Sequence, residues 1–138
     1  MQTMFRTALA VCALAALADK GVRWAWYAGH WSAALADGRR PPDQKRSMIY
    51  ATGTDRPIFR PHHQPFNDDS RFAPGTADRA EHIRDGDQLL RNAAAGQLPA
   101  VSFYKPPGRY TRHPSHTDLK SGDEPVAALL GSLRATPQ

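Results

Sequence analysis

Two adjacent imidazoles, His62 and His63, stand in a proline-flanked stretch, Pro61-His62-His63-Gln64-Pro65. Imidazole titrates near neutral pH, so such a pair offers N–H donors that can carry positive charge, which suits phosphate oxygens. The plainer alternative is a pair of exposed loop histidines with no role. His113 lies in a second loop, beyond an apolar run, Leu98-Pro99-Ala100-Val101-Ser102-Phe103-Tyr104, that reads as a short buried strand. Open α/β sheets bind ligands outside the carboxyl ends of their strands, and His113 would sit there. Lys105 ends the same strand and can offer a further cation, although a lysine stem laid along apolar surface is the commoner arrangement. Cys12 is the only cysteine, which excludes an intrachain disulfide and any cysteine-based metal site. The spacing of Asp118 and Asp123 does not mark a metal cage, and His30 and His82 carry no signal.

These side chains need elements to hold them. Val22 to Tyr27 alternates bulky and other residues and is rich in aromatics, so it predicts a strand. Trp24, Trp26 and Phe103 accordingly read as core rather than as stacking platforms. His30 to Ala36 predicts a short helix, stopped by Gly38 and the pair Pro41-Pro42. Between Pro41 and Pro74 neither a helical nor a strand period persists, and a segment that long and irregular tends to be a lid or a binding loop. Thr76 predicts the cap of a helix from Ala77 toward Ile83, and a second helix from Asp85 closes at Gly96. Ser121 or Gly122 predicts the cap of a last helix that buries Val126, Leu129, Leu130 and Leu133. Helix and strand alternate as in an α/β protein with a parallel sheet, but only two strands are visible, too few to bury both faces and edges.

Residues 1 to 18 have two readings. A charge-free stretch from Thr7 to Leu17, followed by Ala16-Leu17-Ala18 before Asp19, has the layout of a signal peptide. It is too short to span a bilayer, which needs ~20 residues. The rival is an Ala/Leu helix with Leu9, Ala13, Leu14 and Leu17 on one side, ended by Lys20 and Gly21.

Length and charge narrow the function. At 138 residues the chain has room for one domain with a core, while 12 prolines and 10 glycines point to a loop-rich middle. Its formal charge of +5 and pI near 9.8 raise the question of nucleic acid. The distribution argues against it: only Arg39, Arg40, Lys45 and Arg46 cluster, and elsewhere arginines alternate with acids, as in Asp78-Arg79-Ala80-Glu81.

Gly21-Val22-Arg23-Trp24-Ala25-Trp26-Tyr27-Ala28-Gly29, Pro61-His62-His63-Gln64-Pro65-Phe66, and Leu98 to Pro106 with His113-Pro114 after it form an ordered set of three segments. Taken in that order they resemble a bacterial acid phosphatase and phospholipase C-like phosphoesterase family of the alkaline phosphatase superfamily. Arg71-Phe72-Ala73-Pro74-Gly75-Thr76 and Ala95-Gly96-Gln97-Leu98-Pro99 fit the same pattern, so the resemblance covers roughly residues 14 to 138. Ser115 stands where the family has a glycine after its His-Pro pair, and Asn67-Asp68-Asp69-Ser70 replaces a more aromatic segment.

The resemblance implies an incomplete portion of an alkaline phosphatase-like parallel sheet, with flanking helices and long irregular loops, over residues 19 to 138. It implies phosphoric ester hydrolysis, a phosphate ester substrate and a periplasmic or secreted location, with His62, His63 and His113 converging on the phosphate at the carboxyl strand ends. It also implies a divalent metal and a hydroxyl nucleophile, whose family segments have no match here; the metal's ligands are not identifiable, and the chain is expected to be an internal piece, inactive alone. The competing reading is a small secreted binding protein that uses basic loops for anionic partners.

Overall fold

The computed structural model describes residues 11–14, 16–49, 59–110 and 119–136. Among them, three parallel strands form one sheet in the order β2-β1-β3: β1 is Trp24–Ala28, β2 is Ile83–Asp85 and β3 is Val101–Lys105. Helix α1 is seen at 11–14 and 16–19, followed by α2 Trp31–Gly38, α3 Ala77–His82, α4 Asp87–Ala94 and α5 Leu119–Arg134. The mixed α/β fold expected from the sequence is therefore present.

The central strand shows why the sheet needs layers on both sides. Trp24 and Ala28 join Val11 and Leu14 of α1, Trp31 and Ala34 of α2, and Phe59, Phe66 and Phe72 in one core, with Trp26 packed against it. Ala25 and Tyr27 point the other way, onto Leu89 of α4, and Leu129 of α5 packs there too. Successive side chains of a strand take opposite faces, so one aromatic run supplies both cores. The Tyr27 hydroxyl accepts a hydrogen bond from Asn92 Nδ2 at 2.9 Å, which satisfies its polar end.

The expected pairing of Val22–Tyr27 with Ala100–Tyr104 is observed in a slightly shifted window, from Trp24 opposite Val101 to Ala28 opposite Lys105. The expectation of two strands needs correction. Ile83–Asp85 pairs with the other edge of β1, Trp26 opposite Ile83 and Ala28 opposite Asp85, so the helix starting at Asp85 begins instead at Asp87. Three residues between two helices show no period, and only pairing with β1 makes them a strand.

Local signals fare better. Thr76 Oγ1 accepts from the Arg79 amide at 3.3 Å, the expected N-cap of α3. Gly21 and Gly96 lie at φ +70° and +64°, where glycine is free of side-chain strain. In both turns the amide after the glycine reaches back into the last turn of the helix, Val22 to the Leu17 carbonyl at 2.9 Å and Gln97 to the Asn92 carbonyl at 2.8 Å, closing α1 and α4 in the same way. On α1, Val11 and Leu14 are buried, whereas Ala13, expected on the buried side, is exposed.

Two expectations about burial also need correction. Helix α5 begins before Ser121 and continues through Pro125, and Val126 and Leu130 are 50% and 51% exposed rather than buried. Phe103, expected in the core, is 37% exposed. Phe103 lies on β3, an edge strand among the described residues, so its side chain has few neighbours.

His82 is the residue whose place no sequence pattern announced. It is 4% exposed, stacks on Trp24 with centroids 4.1 Å apart, and holds Nδ1 2.9 Å from the Trp24 carbonyl, which makes that nitrogen the donor. His82→Ala is expected to cost about 2–3 kcal/mol, from the lost ring contacts and from a strand carbonyl deprived of its donor. A lower urea midpoint at unchanged slope would show it.

Candidate functional site

The carboxyl ends of all three strands meet around a pair of glycines. Gly29 N–H donates to the Lys105 carbonyl at 2.8 Å, and Gly86 N–H donates to the Ala28 carbonyl at 2.8 Å. A Cβ on Gly29 would lie 2.4 Å from Pro107 N and Cδ, and one on Gly86 would lie 2.9 Å from Gly29 Cα. Only glycine allows this approach of backbones. His30 follows at φ +63°, a conformation rare for a non-glycine residue and often found at functional sites.

Asp85 ends β2 and ties two helices to this end of the sheet. Its Oδ2 accepts from the Ser32 amide at 2.7 Å and its Oδ1 from the Asp87 amide at 3.1 Å, satisfying donors at the starts of α2 and α4. Asp37, at the far end of α2, is equally occupied. Its Oδ1 accepts from the Ser47 amide at 3.3 Å and faces Arg40 Nε at 3.3 Å, while Oδ2 accepts from the Met48 and Ile49 amides at 3.0 and 3.2 Å.

The two adjacent histidines lie in a 3₁₀ turn, Pro61–His63, followed directly by a second, Pro65–Asp68. Proline at the start of each turn fixes φ where no amide donor is needed. The rings of His62 and His63 meet edge to face with centroids 4.3 Å apart, His62 exposed and His63 half-buried. Flanking aromatics anchor the turn: Phe59 packs 5.6 Å from Trp31, and Phe66 lies 5.5 Å from Trp24 and 5.6 Å from Trp26. Between them Gln64 is 2% exposed, and neither its Nε2 nor its Oε1 has a hydrogen-bond partner. A buried amide in that state costs stability, as polar groups at functional sites often do.

Arg60 precedes the turn and is near enough to Lys105, at the end of β3, to repel its charge. Burial lowers the Lys105 pKa from the ordinary lysine value, and the repulsion from Arg60 adds to that. The sequence points to Lys105 but not to Arg60; an isolated arginine between Phe59 and Pro61 belongs to no periodic pattern. A cleft of about 600 Å³ opens beside the turn, lined by Pro61 and Asn67 together with Trp31, Leu35, Phe59 and Ile83.

His113, the third histidine of the expected set, lies outside the described residues, as do His116 and Asp118. The fold thus sets the His62 and His63 rings edge to face, in a turn whose flanking residues Phe59 and Phe66 are part of the core. No group of three or more His, Cys, Asp or Glu side chains suited to a metal occurs among the described residues. The donor chemistry agrees: the oxygens of Asp37 and Asp85 are taken by backbone amides, and Asp78 is paired with Arg71. These residues do not fit the divalent metal that the resemblance implies. Among the described residues no helix is long and apolar enough to cross a membrane.

One comparison with known proteins finds a match: the family model of the Phosphoesterase family matches residues 7–138. No curated protein and no solved structure matches the chain.

Proposed function

The chain belongs to the Phosphoesterase family, a family of phosphoric ester hydrolases, and from that premise we propose that it supplies the phosphate side of an acid phosphatase or phospholipase C-type site. His62, His63 and His113 are the donors to the phosphoryl oxygens. The observation that carries this reading is the His62–His63 turn, whose two imidazoles stand 4.3 Å apart, with His62 exposed, next to a cleft lined by Pro61 and Asn67. Neutral or charged, an imidazole N–H donates to a phosphoryl oxygen, and donors aimed at developing charge lower a barrier when a bond-making step exists. The neighbouring cleft offers room for the organic part of an ester.

The residues that match the family's motifs here are phosphate-side donors, and no residue is matched to its nucleophile or its metal ligands. Donors without a nucleophile have no bond-making step to accelerate. The purified 138-residue chain is therefore expected to bind inorganic phosphate, yet to hydrolyse p-nitrophenyl phosphate no faster than the His62→Ala/His63→Ala/His113→Ala variant, with or without added divalent metal. Metal-dependent turnover clearly above that variant, in material shown by mass spectrometry to be free of other phosphatases, would mean that this chain holds a complete catalytic centre. Loss of phosphate binding in the triple variant supports the donor assignment; unchanged binding removes it.

A further inference from the structure

A second cleft, of about 500 Å³, is lined by residues of α2, α3, β2 and α4 and by none of β1. β2 is an edge strand among the described residues, so the cleft lies on its open side. The topology favours a ligand there. α2, which follows β1, packs on one face of the sheet through Trp31 and Ala34, and α4, which follows β2, packs on the other through Leu89. The chain thus leaves two neighbouring strands toward opposite faces, and open α/β sheets bind ligands in the crevice at such a reversal.

Six of the ten residues lining this cleft are polar: Ser32, Arg84, Asp85, Gln88, Arg91 and Asn92. The fold brings them together from two directions. The register sets Arg84 opposite Tyr27, on the face that α4 covers, and Asn92 of α4 donates to the Tyr27 hydroxyl at 2.9 Å. Gln88 lies one helical turn before Arg91 and Asn92, so all three share a side of α4.

Two of the six are committed. Asp85 accepts the Ser32 and Asp87 amides, and Asn92 is taken by Tyr27. The rest are donors. Arg84 is pinned through Nε on the Glu81 carbonyl at 3.0 Å, which leaves both of its NH₂ groups. The side chains of Arg91, Gln88 and Ser32 have no hydrogen-bond or ion-pair partner among the described residues. Two guanidiniums and one carboxylate line the cleft, so one positive charge is in excess.

We propose that this cleft binds a small organic carboxylate, held by the guanidiniums of Arg84 and Arg91 with the Gln88 amide as a further donor. A guanidinium presents parallel N–H donors that match the two oxygens of a carboxylate. A single negative charge cancels the excess, whereas a phosphate dianion would add an uncompensated charge beside Asp85. Trp31, Leu35 and Ile83 give the body of the ligand apolar contact; they also line the cleft beside the histidine turn, but neither His62 nor His63 lines this one. The site is therefore separate from the phosphate-side donors.

The test titrates the full chain with benzoate and follows the Nε–Hε signals of Arg84 and Arg91 by NMR, which localise binding to this cleft. Both signals are expected to shift together and to saturate. Arg84→Gln and Arg91→Gln are each expected to raise Kd about tenfold or more, the loss of one charged hydrogen bond. Arg91 is exposed on α4 and glutamine keeps its helix propensity, so that variant retains the fold. Arg23→Gln, which removes the same charge from an exposed residue ahead of β1, is expected to leave Kd within about twofold, because distant exposed charges are screened. His62→Ala/His63→Ala is expected to leave it unchanged, and inorganic phosphate at about pH 8, where the dianion predominates, is expected to bind more weakly here than benzoate. No shift at the two arginines, an unchanged Kd in Arg91→Gln, or an equal loss in Arg23→Gln would each overturn the site. Tighter binding of phosphate than of benzoate at the same signals would overturn the carboxylate assignment, and loss of benzoate in the histidine variant would overturn the separation of the two sites.

Discussion

Asp37→Ala is expected to destabilise the protein by about 3–5 kcal/mol, the range for removing one partner of a buried charged network. The carboxylate is 2% exposed and accepts three backbone amides, those of Ser47, Met48 and Ile49, besides facing Arg40. With the side chain gone, three amides that turned toward it have lost their acceptor. The consequence reaches the candidate site along the backbone. Met48 is held by Asp37, and its carbonyl accepts from the Phe59 amide at 3.0 Å; Phe59 precedes Arg60 and the His62–His63 turn. Phosphate binding should therefore weaken together with stability, although Asp37 touches no candidate ligand residue. Asp37→Asn keeps the volume and one acceptor oxygen but aims an NH₂ group at amide donors, so it should fall between wild type and alanine. Chemical denaturation of the three proteins checks the order; an alanine variant within about 1 kcal/mol of wild type would show that water replaces the carboxylate without loss.

That dependence also shows where sequence reading stops. β1 and β3 are visible because aromatic alternation and an apolar run are carried by consecutive residues, and Thr76, Gly21 and Gly96 can be placed because caps and helix ends are local chemistry. β2 is not visible, since Ile83-Arg84-Asp85 becomes a strand only through its distant partner, Trp26–Ala28 of β1. Asp37 gives no signal because its partners are the backbone amides of residues 47–49, which any sequence would supply. The site divides in the same way. His62 and His63 are legible as an adjacent pair flanked by prolines, and the structure brings their rings into contact. Arg60 escapes notice because its repulsion of the Lys105 charge acts between residues far apart in the sequence. Val126, Leu130 and Phe103 read as buried from pattern, which states which residues share a face but not whether a neighbouring element covers it.

Gly29→Ala is the substitution expected to be most damaging for its size. A methyl group there would meet Pro107 N and Cδ at 2.4 Å, and neither atom can yield as a flexible side chain would. Proline has a closed ring with φ fixed, and the facing strand is held by the Gly29 N–H bond to the Lys105 carbonyl at 2.8 Å. Relief on the other side is blocked as well, because Gly86 already approaches Gly29 so closely that a Cβ on it would lie 2.9 Å from Gly29 Cα. Relieving the overlap means separating β1 from the segment after β3 and breaking that hydrogen bond. The cost should reach at least the upper part of the range for overpacking, about 3 kcal/mol, from the addition of a single methyl group. Gly131→Ala is the control: it lies within α5, and a Cβ added there would have nothing within 4 Å, so it should be neutral or stabilise by up to about 1 kcal/mol through helix propensity. Thermal melts of the two variants separate these outcomes by sign. If Gly29→Ala melts with wild type, the close approach of β1 to Pro107 is not what holds the carboxyl end of β3 in place.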